Sequence, residues 1–385
     1  MASTYPRWPG DSTRSFVQDY VNAIAAYFRN VRVIVPHYAG AKHREQSAPN
    51  IRLSRFYYAF PFRFENIAYG EFRKTIGYPI KAVLYNASEL WSTLLAGWRW
   101  RPVVLNPHWL LPQGFVAVLL KPVLGCKVVV SVHGADVYTL NGKFMKKIKR
   151  FVLSRADEVV VNSSATLAVC QRLWKRDYHV IPMGIDTDLF KPRGKKQASA
   201  VLEVLFVGRL AEEKGVWYLC EAARLLKERG HKVHTTIIGD GSLRKDLEAF
   251  VAEHGLEQEV TFTGGIPHSQ LPAYYAAADV FVGPSIESKN GWQEAFGLVF
   301  AEASASSLPV IATNTGGIQD VIKNGINGLI VPQKDAAAIA NAVTKLQNDP
   351  QLARKLGAAG PDYIRQNFSW QVITDKYLAL FEAIL

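Results

Sequence analysis

The feature that most constrains this chain is a repeated alternation of short apolar runs with segments of helix length. The runs are NVRVIVPH (30–37), RPVVLNPH (101–108), CKVVVSVHG (126–134), DEVVVNS (157–163), YHVIPMG (178–184), EVLFVGR (203–209), HTTIIGDG (234–241), EVTFTGG (259–265), DVFVGPS (279–285), LPVIAT (308–313) and NGLIVP (327–332). Strands separated by helix-length segments imply βαβ units and parallel sheets. The runs are apolar throughout rather than alternating, which fits sheets covered on both faces. At 385 residues the chain exceeds one compact core and suits two domains. KPRGKKQASA at 191–200 is basic, lacks periodicity and carries Pro, Gly and Ser, the marks of a linker. The pattern predicts a first domain over 1–185, a linker over 186–200 and a second domain over 201–365. Within 366–385, FSWQVITDKYLALFEAIL predicts an amphipathic closing helix. Only Ala2 to Tyr5 precede the Pro6–Gly10 turn, so the first strand of domain one is very short or truncated.

Charge separates the two halves. Residues 1–185 hold 25 Lys/Arg against 10 Asp/Glu, a balance of +15, whereas 186–385 hold 20 against 23, or −3. The first half is therefore drawn to something anionic: nucleic acid, an anionic membrane or a phosphate-bearing acceptor. Residues 51–100 interleave Arg with Trp, Tyr and Phe, and Lys143, Lys146, Lys147, Lys149 and Arg150 recur at helical spacing. These suit peripheral membrane docking or a lipid-diphosphate acceptor. A solvated helix face over core aromatics would give the same pattern. No run approaches 18 apolar residues, and MASTYPRWPGD lacks the basic-then-apolar order of a signal peptide. Cys126, Cys170 and Cys220 stand far apart. These features predict a cytoplasmic chain with reduced thiols, possible association with the inner membrane face, and no metal site.

The chemistry concentrates at strand ends. PSIESKNGWQEAFGLVFAEASASSLPVIATNTGG, 284–317, follows an apolar run and leads into a helix predicted to begin near Ala295. The amides of Phe296, Gly297 and Leu298 would then open that helix and receive a pyrophosphate. Glu294 stands before this end and Glu302 eight residues on, about 12 Å apart along a helix. That span suits two grips on one elongated ligand. A glycoside hydrolase needs its carboxyl groups about 5–5.5 or 6.5–9.5 Å apart. A capping Glu with a helix-face ion pair is the plain structural alternative. FVGRLAEEKG sets Arg209 and Lys214 after another strand, where two cations would hold a diphosphate and stabilise it as it leaves. Two solvated loop cations would look alike. Gly239 and Gly241 flank Asp240 in half of a dinucleotide fingerprint, but Arg244 replaces the third glycine. Ile266, after the next strand, would present backbone to a base. In domain one, His133 and Asp136 close one strand and His108 and Trp109 another, and a strand-end His is placed to bond a sugar hydroxyl. Asp186-Thr187-Asp188 lies far in sequence from the cations and is not taken as a metal site.

Together these segments resemble glycosyltransferase family 4, whose members have the GT-B fold: α/β, two Rossmann-like doubly wound domains facing across a cleft, with the C-terminal helix crossing back. The resemblance rests on Glu294-x7-Glu302, Arg209 to Lys214, the GDG loop, HGAD at 133–136, PMGID at 182–186 and PGD at 9–11, in family order over nearly the whole chain. It implies a retaining hexosyltransferase that uses a UDP- or GDP-sugar, needs neither cofactor nor metal, and acts in polysaccharide or glycolipid assembly. On that resemblance Arg209 and Lys214 bind the diphosphate, Glu302 the ribose, and Glu294 and His133 the donor sugar. Phe296, Gly297 and Leu298 add amides. Gly10 and Asp11 match the loop that closes over phosphates and acceptor, although the family's two adjacent glycines are missing here. His108, Trp109 and Asp136 fall on the acceptor side, and nucleic acid drops out as a partner. A phosphorylase, a sugar-nucleotide epimerase and a non-catalytic nucleotide-binding subunit are the rival assignments.

Overall fold

The computed structural model describes residues 1–8, 11, 16–59, 78–194 and 200–385. The chain divides into two compact units. One comprises Met1–Asn162, Thr166–Ile181 and Ile373–Leu385, and the other Ser163–Ala165 and Pro182–Val372.

The first unit runs α1 (Phe16–Ala25), β1 (Val31–Pro36), β2 (Arg44–Ala48), β3 (Ile51–Phe56), α2 (Tyr78–Trp100), β4 (Val104–Leu105), α3 (Phe115–Leu124), β5 (Lys127–Val132), α4 (Ala135–Tyr138), α5 (Lys143–Arg155), β6 (Glu158–Val161), α6 (Ser164–Leu173) and β7 (His179–Val180). Its strands form two sheets, β1-β3-β2 and β4-β5-β6-β7. All pairs are parallel except β2 with β3. That exception departs from the expected parallel pattern. Only Pro49 and Asn50 connect the two strands, and a two-residue turn joins strands only in antiparallel fashion. The expected short first strand is not formed among the described residues before α1, where Met1 and Ala2 make single main-chain bonds instead. Ala2 N donates to Ile34 O at 3.1 Å, and His108 N donates to Met1 O at 2.8 Å, so this strap joins the two sheets.

The second unit runs β8 (Leu202–Val207), α7 (Val216–Glu228), β9 (Val233–Ile238), α8 (Arg244–Glu253), β10 (Val260–Gly264), α9 (Leu271–Ala277), β11 (Val280–Gly283), α10 (Leu298–Ala305), β12 (Val310–Thr313), α11 (Ile318–Val321), β13 (Gly328–Val331), α12 (Ala336–Asn348) and α13 (Pro350–Phe368). Its sheet is parallel throughout, ordered β10-β9-β8-β11-β12-β13. Both faces are covered: Val204, Phe206 and Ile237 pack into one apolar core, Leu205, Val207 and Ile238 into another. This alternate packing explains why the runs carry no polar face. The strand order reverses between β8 and β11, and ligands of open α/β sheets sit beyond the carboxyl ends at that point.

The last helix, α14 (Trp370–Ile384), returns to the first unit from Ile373 onward. There Tyr377 Oη lies 3.2 Å from Ser131 Oγ, and its ring meets Tyr20 edge-on. All three cysteines are buried and free. Among the described residues, no helix is long and apolar enough to cross a membrane.

Candidate functional site

The loops after β8 and β11 meet at the switch point of the second sheet. Gly215 ends the β8 loop at φ +64°, and a Cβ there would lie 1.9 Å from Pro284 O. Only glycine permits both that left-handed turn and that approach. Ile286 N also donates to Glu213 O at 2.9 Å, so the loops are joined through main chain. Lys214 Nζ pairs with Glu294 across the junction, both side chains largely buried. The ammonium also lies 5.7 Å from the Trp292 ring. Arg209 turns outward, with 70% of its side chain exposed, and its Nη2 meets Glu213 Oε1 at 2.9 Å. Both sequence-picked cations thus belong to one loop, and each is held by a carboxylate.

Helix α10 begins at Leu298, not near Ala295. Gly297 caps it in the left-handed region at φ +83°, which stops the helix from extending back. Glu294 therefore precedes the helix, and an eight-residue helical rise does not measure its separation from Glu302. Its main chain is gripped instead: Gly317 N donates to Glu294 O at 2.8 Å, and a Cβ on Gly316 would lie 1.9 Å from that oxygen. Among the described residues, the Phe296 and Gly297 amides donate to no backbone carbonyl.

Glu302 is only 1% exposed. Its Oε1 meets His268 Nε2 at 3.0 Å, and its Oε2 accepts from Tyr275 Oη at 3.1 Å. Phe190 abuts His268 edge-on at 4.9 Å. Neither His268 nor Tyr275 was picked from sequence as a partner of Glu302; His268 stands in the β10–α9 connection beyond a strand end, and Tyr275 on α9 itself. Ile266 is half-buried against the core beside them. A Cβ on Gly239 would lie 1.9 Å from Gly208 O, and one on Gly241 2.4 Å from Leu210 O, so the GDG loop is pressed onto the β8 loop. Asp186 accepts from Asp188 N and Leu189 N at 3.0 and 2.9 Å, the work of a local turn.

In the first unit, His108 and His133 follow β4 and β5. His108 Nδ1 lies 2.9 Å from His133 Nε2, with the rings 4° from coplanar. Phe16, Tyr20 and Trp109 surround the pair with ring centroids 4.6–5.4 Å away. Phe16 and Tyr20 on α1 were not singled out from sequence, because aromatics on a helix give no positional signal. Burial pushes the His133 imidazole down to about 3, and burial with the neighbouring ring holds His108 well below its usual range. Both are therefore neutral at physiological pH. His133 Nδ1 is buried with no hydrogen-bond partner among the described residues.

Asp136 is buried and raised in pKa by desolvation. Its Oδ2 accepts from Leu110 N at 2.8 Å and its Oδ1 from His133 N at 3.2 Å, tying the two histidine loops together. Asp11 pairs with Arg7 at 2.7 Å; Gly10 lies outside the described residues. Lys149 departs from the predicted basic face. It is buried, with its ammonium donating to Val137 O at 3.2 Å and to Thr139 O, while Lys143, Lys146, Lys147 and Arg150 stay exposed.

The doubly wound sheet, its switch-point charges and the acid inside α10 go together with family matches in both halves. Residues 15–189 match glycosyltransferase family 4, and 190–363 match glycosyl transferases group 1. The class so defined is a nucleotide-sugar glycosyltransferase of the GT-B fold. The chain belongs to glycosyltransferase family 4, group 1. It is 31% identical to the GDP-mannose-dependent α-(1-6)-phosphatidylinositol monomannoside mannosyltransferase of Mycobacterium tuberculosis, over 65% of this chain and 68% of that one. It is 33% identical to the putative colanic acid biosynthesis glycosyltransferase WcaL of Escherichia coli, over 71% and 69%. Among solved structures, sucrose-phosphate synthase from Thermosynechococcus elongatus superposes with a TM-score of 0.80 at 24% identity, over 100% of this chain and 98% of that one.

Proposed function

We propose that the chain is a retaining hexosyltransferase that takes a hexose from a UDP- or GDP-sugar and passes it, without a metal ion, to a saccharide or lipid-linked acceptor. The second unit takes the donor and the first the acceptor. The observation that carries this reading is the Lys214–Glu294 pair at the switch point of the second sheet. Each partner holds a charge that the other neutralises until a ligand replaces it. A nucleotide diphosphate-sugar supplies both replacements, phosphate oxygens for Lys214 and sugar hydroxyls for Glu294. Arg209 exchanges Glu213 for the diphosphate, and the Phe296, Gly297 and Leu298 amides donate to it. Glu302 exchanges His268 and Tyr275 for ribose hydroxyls. Gly239, Gly241 and Ile266 line the donor's path.

The bond from the anomeric carbon to the phosphate oxygen breaks and its electron pair leaves with the diphosphate, where the two cations stabilise the charge. The acceptor hydroxyl oxygen forms the new bond to the anomeric carbon from the face the diphosphate leaves, and its proton passes to the departing phosphate oxygen. His133, neutral, bonds a donor hydroxyl. His108, Trp109 and Asp136 shape the acceptor side, and Gly10 and Asp11 close over phosphates and acceptor. No carboxylate is assigned as acid or base, because Glu294 is matched to Lys214. The relatives named for a phosphatidylinositol monomannoside and for colanic acid biosynthesis support work on glycolipid or polysaccharide. The +15 balance of residues 1–185 supports contact with an anionic membrane surface.

Release of nucleoside diphosphate from a panel of UDP- and GDP-sugars tests the assignment. Unchanged release by Lys214→Ala and Glu302→Ala would overturn it in favour of a non-catalytic subunit. Release of sugar phosphate in the presence of inorganic phosphate would point to a phosphorylase instead.

A further inference from the structure

Helix α2 carries its amphipathicity the wrong way round. Its inward stripe is Tyr85, Glu89, Thr93 and Gly97, with Glu89 and Thr93 fully buried. Its outward stripe is Ile80, Leu84, Trp91, Leu95 and Trp98, each between 46 and 72% exposed. The spacing keeps these side chains on one face for about 27 Å of helix. A water-facing helix normally shows the opposite pattern, and a continuous exposed apolar stripe marks a surface with a partner.

The occupant is indicated by the charges at the C-terminal end of that stripe. A groove of about 1000 Å³ is lined there by Leu95, Trp98 and Arg99 of α2 together with Arg32 of β1 and Arg52 of β3. Arg32 and Arg52 are direct register partners in the sheet, a like-charge pairing that disfavours the fold. Arg32 also stacks over Trp100 at 4.1 Å. Among the described residues, none of Arg32, Arg52 and Arg99 has a carboxylate partner. Three unneutralised guanidiniums beside exposed tryptophans suit lipid phosphates above acyl chains, and disfavour a second copy of the same basic face.

We infer that α2 lies along an anionic lipid surface, with Trp91, Leu95 and Trp98 at the headgroup–acyl boundary and Arg32, Arg52 and Arg99 on lipid phosphates. The inference rests on the membrane reading above and names the face that makes the contact.

Flotation tests it, using vesicles of phosphatidylcholine alone or mixed with phosphatidylglycerol. The proteins are the full chain, a Trp91→Ser/Trp98→Ser double variant and an Arg32→Gln/Arg52→Gln double variant. The full chain floats with the mixed vesicles only. The arginine variant binds about twentyfold more weakly in low salt, a loss that shrinks in high salt. The tryptophan variant loses binding at every salt concentration. Both variants keep full nucleotide-sugar turnover on a water-soluble acceptor, so a failure of docking is distinct from a failure of the transferase assignment. No flotation of the full chain, or equal flotation of all three proteins, would overturn the inference. So would a dimer in light scattering that vanishes with the tryptophans and never binds vesicles.

Discussion

The two units place their candidate site residues at the same topological position, the carboxyl ends of parallel strands, and give them opposite electrostatics. In the second unit, Lys214 and Arg209 are charged and each is held by an acid from within the protein. In the first, His108 and His133 are desolvated among aromatic rings and kept neutral. A charged site must keep its ions solvated or paired while it waits, and pairing lets a ligand exchange in without leaving an ion bare. A neutral hydrogen-bonding site needs only exclusion of water.

The largest expected effect follows from removing the exchange partner. Lys214→Ala should lower kcat for transfer by about a hundredfold to a thousandfold, measured as nucleoside diphosphate release. A loss confined to KM would mean that Lys214 binds the donor without assisting its departure. Glu302→Gln should weaken donor binding by about tenfold or more in calorimetry, because the amide keeps only one of the two acceptor oxygens that meet His268 and Tyr275.

In the first unit the contrast is tested through protons. Burial raises Glu89 to about 8, so the folded state holds a proton that the unfolded chain loses near 4.5. Stability therefore falls as pH rises through that window. Glu89→Gln should relieve the fall, adding on the order of 2 kcal/mol at pH 7 and little at pH 4, by denaturant unfolding. His133 works in the opposite sense. Its folded form stays unprotonated down to about 3, while the unfolded form binds a proton below about 6.5, so its contribution rises with pH between those values. In catalysis His133→Asn should lower kcat about tenfold and leave the shape of the pH profile unchanged above pH 5. Disappearance of an ionisation near 6.5 in that variant would show a charged histidine and break the comparison. The smallest effect belongs to Arg209→Lys, about threefold in KM, because the exposed side chain keeps its charge and loses only its fork.

Much of this was legible in the residues. All six strands of the second unit and five of the seven in the first stand out as apolar runs, because sheets covered on both faces admit little else. β2 and β3 did not. REQSA is a largely exposed edge strand, and IRLSRF alternates apolar with polar residues. The site was legible as strand-end residues but not as partnerships. Arg209 and Lys214 share a loop, yet only folding shows that Lys214 meets Glu294 and Arg209 meets Glu213. Helix onset at Leu298 was hidden because AFGLVFAEA is helix-forming by composition, and the single glycine that stops it acts through its backbone angle. Lys149 looked like its neighbours because helical periodicity places residues on faces and does not say which face is covered.

The contacts of Gly215 with Pro284 and of Gly316 with Glu294 carry a consequence for how such an enzyme diversifies. Both contacts are made to main-chain oxygens: the first joins the β8 and β11 loops, beside the Lys214–Glu294 pair, and the second holds the β11 loop against the loop after β12. Residues 287–293, beyond the buried Ile286, and the turn around Ile266 can then be exchanged for those of a relative with these contacts kept. Grafting those two segments from a relative, with every clamp glycine left in place, and measuring turnover across UDP- and GDP-sugars tests whether they set the sugar preference. The same contacts make Gly215 and Gly316 intolerant of any substitution in a saturation screen.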